Sequence, residues 1–532
     1  MKPFHITTPI YYANAKIHMG NVYTAIMADV IARYKRVLWY DVSLSTGTDE
    51  NGQKMVQAAE REGQSVKDFL DEKSALTRQV LDDCEISYTD FIRTTEKRHY
   101  IFVQSVLQKT YDNGDIYQGD YEWLYCVGCE AFKKESDLIA SPLSKGEWGG
   151  FVCPDHQTAP QIIKEKNRFF RLSKYQSRLE QYFADHPDFL TPDYRYNEVK
   201  AFVAGGLEDF SISRAGNPIG IPLPFDPSSV TYIWYDALLN YLTVCVDHYD
   251  DTGNPIFNDY ASVMNHTLGK DIARFHAIYR VGMLMAAWLE DYLPKREYIG
   301  GFFTVDGQKM SKTIGNTIYA DELCRDYDRD AMVFYLLYDI PYGADGDFSR
   351  ERFRNAYTGM LMGGWGNLVS RVTKLAEKQG ITEAIYNPTK NSFLTEANAL
   401  GQALTPWSID IAYIETLIDR WETNTLLKER YALVGETNKY MQDTAPWTKL
   451  KDEVTKDDGI ADLQHLLRVI KQLGLISAPF LTHGWTKLQT ILGSDELSAV
   501  TTLATSTWFV DLLSRESLAL HLVPDVLYQM KE

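Results

Sequence analysis

Nowhere in the 532 residues does an apolar run approach the ~20 residues that a membrane-spanning helix needs. Runs such as "VGMLMAAWL" from Val281 and "AMVFYLLY" from Ala331 stop well short. The opening "MKPFHITTPIYYAN" lacks the apolar core and cleavage site of a signal peptide, so a cytoplasmic protein without membrane contact is expected. Cysteine is scarce as well, and six in so long a chain exclude a disulfide scaffold. Positive charge is in deficit: 54 Lys and Arg face 72 Asp and Glu, for a net charge of -18. A general nucleic-acid coat would be basic, so any such partner must be met by a local patch. The stretch "KEKNRFFRLSKYQSRLE" from Lys164 is either such a patch or a solvated helix face. Internal repeats and low-complexity linkers are absent.

What remains is the composition of an ordinary globular protein, long enough for roughly three to four domains. "FHITTPI" is a short strand, and Val22, Ile26, Val30, Tyr34 and Val37 then recur at helical spacing. "DVSLSTGTDENG" is a second strand, "QKMVQAAEREG" a helix closed by Gly63, and "TDFIRTT" a third strand before a helix from Glu96 to Asn113. This alternation predicts an α/β domain with a doubly wound parallel sheet of Rossmann type. After "NGDIYQGD" the texture turns to short aromatic strands with Gly, Pro and cysteine, and strand–helix alternation resumes at "SVTYIWYDALLNYL". The sheet domain is therefore split, with halves at 1–115 and 230–305 around an insertion at 116–229. A loop and stem region follows at 306–354, and 355–532 is α-helical in pattern.

"AKIHMGN", residues 15–21, places His18 and Gly20 where the first long helix begins. A helix start presents unpaired N–H groups and partial positive charge, which suits a phosphate. Gly20 lets a ligand approach the backbone, and His18 can donate to an anionic oxygen. "DGQKMSKTIGN", residues 306–316, sets Lys309 and Lys312 between glycines, as a loop closing on a polyphosphate would. Cys126-x-x-Cys129 and Cys153-x-x-His156 together offer three thiolates and an imidazole, the donor set of one closed structural zinc site. Cys84, Cys245 and Cys324 are expected to be buried and inert.

"HMGN" and "KMSKT" resemble the HIGH and KMSKS signatures of class I aminoacyl-tRNA synthetases. The likeness extends along most of the chain to the methionyl-tRNA synthetase family. "TPIYYANAKIHMGN", "LSTGTDENGQK", "YCVGCEAF", "TYIWYDALLNYL", "LGKDIARFH", "KMSKTIGN", "YDIPYGADGDFS", "GNLVSR" and "DTAPW" follow in that family's order. The resemblance implies methionine activation by ATP·Mg²⁺ and transfer of methionine to the terminal ribose of its tRNA. It implies that His18, Gly20, Asn21, Gly269, Asp271 and Lys312 bind ATP, with Lys309 beside Lys312 in catalysis. Asp49 would hold the α-ammonium. Ile10, Tyr12, Trp234, Tyr241, Phe275 and His276 would surround the methionine side chain, where aromatic faces suit a thioether and a phenol O–H can donate weakly to sulfur. Asn367, Arg371 and Trp447 would read the anticodon in an α-helical anticodon-binding domain. The zinc knuckle would shape the connective insertion.

Two positions depart from the family pattern: Asn21 and Asn51 stand where relatives commonly have His. The chain also stops soon after its helical region, which favours a monomer. A Leu, Ile or Val enzyme of the same class would need a larger insertion than 116–229 for its editing domain. A nucleotidyltransferase acting on a small acid would not need the helical region.

Overall fold

The computed structural model describes residues 1–126, 131–133, 138–140, 151–154, 158–215, 217, 219–310, 315–340, 343–385, 411–493, 517–523 and 525–529. Its first element is β1 (Lys2–Thr7), followed by the two-residue β2 (Tyr11–Tyr12), helix α1 (Met19–Val37), β3 (Tyr40–Asp49) and β4 (Asp90–Arg93). β1 lies between β3 and the strand Met264–Gly269, which in turn pairs with Arg296–Gly300. Every pairing in this sheet is parallel, and β2 and β4 both add to β3. Leu190–Thr191, from within the 116–229 stretch, extends the far edge beside Arg296–Gly300. The chain leaves β1 in one direction through α1 and β3, and later returns to its other side. That reversal opens a crevice at the carboxyl ends of β1 and Met264–Gly269, the usual ligand position in such sheets.

The strand–helix alternation anticipated from the sequence is present, with α1 starting at Met19 between His18 and Gly20 and Gly63 closing the helix Gln53–Glu62 in a left-handed conformation. The inserted stretch is antiparallel: β5 (Ile116–Cys126) pairs with Gln161–Phe170 over its length, and a small hairpin joins Ile139–Ala140 to Phe151–Val152. Three of the basic residues of the "KEKNRFFRLSKYQSRLE" segment are paired locally: Arg168 meets Asp226 at 3.0 Å, Lys174 meets Asp115 at 2.5 Å, and Arg178 pairs with Glu290.

Beyond residue 366 come the helices Asn367–Lys378, Ile411–Asp419, Thr423–Thr444, Lys456–Ser477 and Thr482–Leu492. They are not a separate body. One hydrophobic cluster runs from Ile6 and Ile26 through Phe334 to Leu466 and Leu488. Helix α1 is buried on nearly every face because this region covers what the sheet does not: Tyr34 donates to the Ile476 carbonyl, and Lys35 reaches Asp419 at 2.5 Å. Cys84 and Cys245 are buried as expected, but Cys324 is only half-buried, its sulfur 3.8 Å from that of Cys84.

Candidate active site

The crevice begins at the α1 helix start. His18 is the N-cap, and its Nδ1 accepts from the Gly20 N–H at 3.1 Å. An imidazole nitrogen that accepts carries no proton, so the ring proton sits on Nε2 as a donor. Asn21, at the third helical position, closes the cap reciprocally: its Oδ1 accepts from the His18 N–H at 3.2 Å. That leaves the Asn21 NH₂ as the group it can turn to a ligand. A Cβ on Gly20 would come within 3.3 Å of the Met310 methyl and 3.1 Å of the His18 ring, so a side chain here would press on both.

Met310 belongs to "KMSKT". The backbone of Gln308–Lys309 forms a short strand against Phe303–Val305, and Met310 then rests beside Gly20. On the far side of the loop, the Ile318 carbonyl accepts from the Met19 N–H at 2.9 Å, and Asp321 holds Lys16 at 2.7 Å. Both flanks of the lysine segment therefore land on the same helix start. Lys312 and the Lys309 side chain lie outside the described residues. Across the crevice, Asp271 sets its carboxylate against Gly269, where an added Cβ would meet Oδ1 at 2.6 Å.

The residues expected to form a side-chain pocket are buried or half-buried. Asp49 ends β3, buried, and is register-paired with Tyr12 in β2; Ile10 lies half-buried in the link from β1 to β2. Trp234 and Phe275 stack face to face at 3.9 Å and 5°. Tyr241 and His276 form the pocket's buried polar pair, 2.7 Å apart from phenol oxygen to Nε2. His276 Nδ1 lies 2.9 Å from the Ile272 carbonyl, which can only accept, so Nδ1 holds the proton. Burial depresses the His276 pKa to about 3, so the ring stays neutral. Nε2 must then accept from Tyr241. The phenol proton is thereby committed to His276. Phe275, His276 and Arg280 all stand on a π-helical turn, Phe275–Arg280, a form that often marks functional segments.

Several residues here were not singled out by sequence reasoning. Asp236, fully buried, accepts from Asn51 Nδ2 at 2.8 Å and from Thr231 at 3.0 Å. Burial raises its pKa to about 7, against those hydrogen bonds. Asn51, the second departure from the family pattern, is thus a strut between the end of β3 and the segment that follows the insertion. His266 bonds Thr7 at 2.6 Å and packs against Tyr241 at 4.4 Å. A lone Asp inside the apolar "TYIWYDALLNYL" was the available signal for Asp236. Nothing in the spacing marked His266.

Far from the crevice, Arg371 lies with its guanidinium 5.4 Å over the Trp447 ring. Asn367 is exposed one turn before Arg371 on the same helix. Ala445, at φ 43°, ends the helix Thr423–Thr444, and Pro446 opens the turn that carries Trp447. The three residues thus share one surface. In the insertion, Cys126 ends β5 and Cys153 follows Phe151–Val152; both are buried, and Cys129 and His156 lie outside the described residues.

A parallel sheet with its crevice at the switch point, a glycine-bearing helix start there, and a lysine loop whose flanks close on that start define a catalytic domain of the class I aminoacyl-tRNA synthetases. The family profile "tRNA synthetases class I (M)" matches residues 4–373, and "Anticodon binding domain of methionyl tRNA ligase" matches 389–530. The methionine–tRNA ligase of Caldanaerobacter subterraneus subsp. tengcongensis is 37% identical over 500 residues, covering 93% of this chain and 74% of that one. That of Bacillus subtilis is 36% identical over 482 residues, covering 90% and 71%. The structure of Mycobacterium tuberculosis methionyl-tRNA synthetase in complex with methionyl-adenylate superposes with a TM-score of 0.89 at 31% identity, covering 99% of this chain and all of that one. The chain belongs to the methionyl-tRNA synthetase family.

Proposed function

We propose that the chain is a methionine–tRNA ligase that condenses methionine with ATP to methionyl-adenylate and pyrophosphate, then transfers the methionyl group to the 3′-terminal ribose of its tRNA. The observation that supports this reading is the convergence of Met310, Ile318 and Asp321, on the described flanks of the lysine segment, on the α1 start. His18 Nε2–H and the Asn21 NH₂ would donate to phosphate oxygens, and Lys309 and Lys312 would neutralise charge on the departing pyrophosphate, with Mg²⁺ arriving on ATP. Gly269 would let adenosine lie against the strand end, with Asp271 accepting from ribose hydroxyls. Asp49 would pair with the α-ammonium. Ile10, Tyr12, the Trp234–Phe275 stack and the Tyr241–His276 pair would enclose the thioether. Catalysis is then positioning and charge stabilisation, with no covalent protein intermediate.

The Arg371–Trp447 pair with Asn367 would read the anticodon, the ring serving as a platform for an unstacked base. Cys126, Cys129, Cys153 and His156 would hold one structural Zn²⁺. The two described thiols fit that role, each buried at a strand exit, and a closed site of this kind orders a loop rather than taking part in chemistry. Among the described residues no helix is long and apolar enough to cross a membrane. ATP–pyrophosphate exchange with each amino acid supplied singly tests the assignment. Exchange with methionine is expected. Exchange with another amino acid and none with methionine overturns it.

A further inference from the structure

Directly behind Tyr241 lies a group of buried charges that the reaction above does not use. Arg280, on the π-helical turn, is fully buried, with its guanidinium 5.4 Å from the centre of the Tyr241 ring. Its Nε donates to the Leu238 carbonyl at 3.1 Å, and Nη2 lies 3.4 Å from the Met264 sulfur. Glu297 stands on the strand Arg296–Gly300, in register with His266 on the neighbouring strand. It is also fully buried. Neither of its oxygens has a hydrogen-bond partner among the described residues, and the same holds for Arg280 Nη1 and His266 Nε2.

A buried charge without a counter-charge is costly, and a buried pair without full hydrogen bonding seldom adds stability over apolar packing. Plain core packing would therefore not place both here. What Arg280 does touch is Tyr241, whose ring has the guanidinium on one contact and His266 on another. Its hydroxyl is fixed by His276. A cation near an aromatic face is attracted to it, more strongly when desolvated.

We infer that Arg280 is a positioning residue of the methionine side-chain pocket, setting the placement of Tyr241 and through it of His276. The inference rests on the pocket reading given under the proposed function. Burial pushes the Glu297 carboxyl up to about 8 and the Arg280 guanidinium down to about 10, while their mutual attraction opposes both shifts. Arg280 itself touches no substrate.

The test is a double-mutant cycle on the full chain, read as methionine KM and ATP KM in pyrophosphate exchange. Arg280→Met is expected to raise methionine KM on the order of tenfold, with ATP KM changed less than about twofold. Tyr241→Phe is expected to raise methionine KM as well. Because Arg280 acts through Tyr241, the double variant should be no worse than the poorer single variant. Multiplying effects, or unchanged methionine KM in Arg280→Met beside a raised KM in Tyr241→Phe, overturn the inference and leave the pocket reading standing. Unchanged methionine KM in Tyr241→Phe overturns the pocket reading and this inference with it. Arg280→Lys, which keeps the charge but not the planar guanidinium, keeps the question open to test if Arg280→Met does not fold. A selective rise in methionine KM supports the role, and no change overturns it.

Discussion

Asn21 occupies a position where an imidazole is common among relatives, and its geometry shows how an amide can serve there. Its carbonyl caps the helix by accepting from the His18 N–H, and its NH₂ is a neutral donor that does not titrate near pH 6.5. The two roles separate by magnitude. Loss of a cap costs about 1 kcal/mol of stability, whereas loss of one preorganised donor slows chemistry by a factor on the order of 10²–10³. Asn21→Ala should therefore lower Tm slightly and cut the rate of adenylate formation by the larger factor, with methionine KM little changed. Asn21→His should retain substantial activity and acquire a pH dependence near neutrality. Stopped-flow measurement of adenylate formation checks both. An Asn21→Ala enzyme as fast as its parent leaves only the cap.

At the scale of elements, the helix Asn367–Lys378 and the turn at Pro446 act together through Arg371 and Trp447. Trp447→Ala should leave pyrophosphate exchange nearly intact and depress tRNA charging, by the ~1–3 kcal/mol typical of one stacked base. Equal loss of both activities would instead mark a packing role, since the ring also lies against the core. The insertion's strands make a second prediction. Protein purified without added metal should carry about one zinc per chain, and Cys153→Ser should lose it while exchange activity falls less than zinc content. Elemental analysis decides this one. Elements with strong periodicity were legible in the sequence: α1 and the parallel strands reach the structure nearly unchanged. The helix Val66–Asp83 was not singled out, and the π-helical turn at Phe275–Arg280 has no periodic signature to read. Candidate site residues were legible where a motif named them, as with His18 at the start of α1. Arg280, Glu297 and His266 escaped because their meaning lies in being brought together by strands and a turn distant in sequence, with polar atoms whose partners only coordinates disclose.

At the scale of the whole molecule, an ionic joint adds to the shared core and the Lys35–Asp419 pair in tying the catalytic part to the helical part. Arg329 donates to Asp29 of α1 at 2.9 Å and to the Phe480 carbonyl at 2.9 Å. Beside it His483 meets Asp328 at 3.0 Å and pairs with Glu85, with Asp330 and Arg329 alongside. The hydrogen bonds to Asp328 and Glu85 raise the His483 pKa to about 10. A raised folded-state pKa contributes stability that is fully present below the unfolded value of about 6.5 and is lost as pH rises through the folded one. Tm should therefore decline between neutral pH and about 10 more steeply in the parent than in His483→Gln, with solvent screening limiting the size of the effect. Parallel Tm–pH profiles would show that this histidine does not couple to folding.

The placement of β1 also constrains how the protein is made. On one edge the strand is completed early, His5 facing Ser43, but on the other His5 faces Met264. A ribosome must therefore emit more than half of the chain before β1 acquires its second neighbour. Until then the nascent sheet presents an open parallel edge, the kind of surface on which other chains can template. Long-range closure of this sort is slow and leaves folding chains exposed to aggregation. A nascent chain stalled before residue 264 should accordingly be a client for chaperones that shield strand edges, and release of Met264–Gly269 from the exit tunnel should end that dependence.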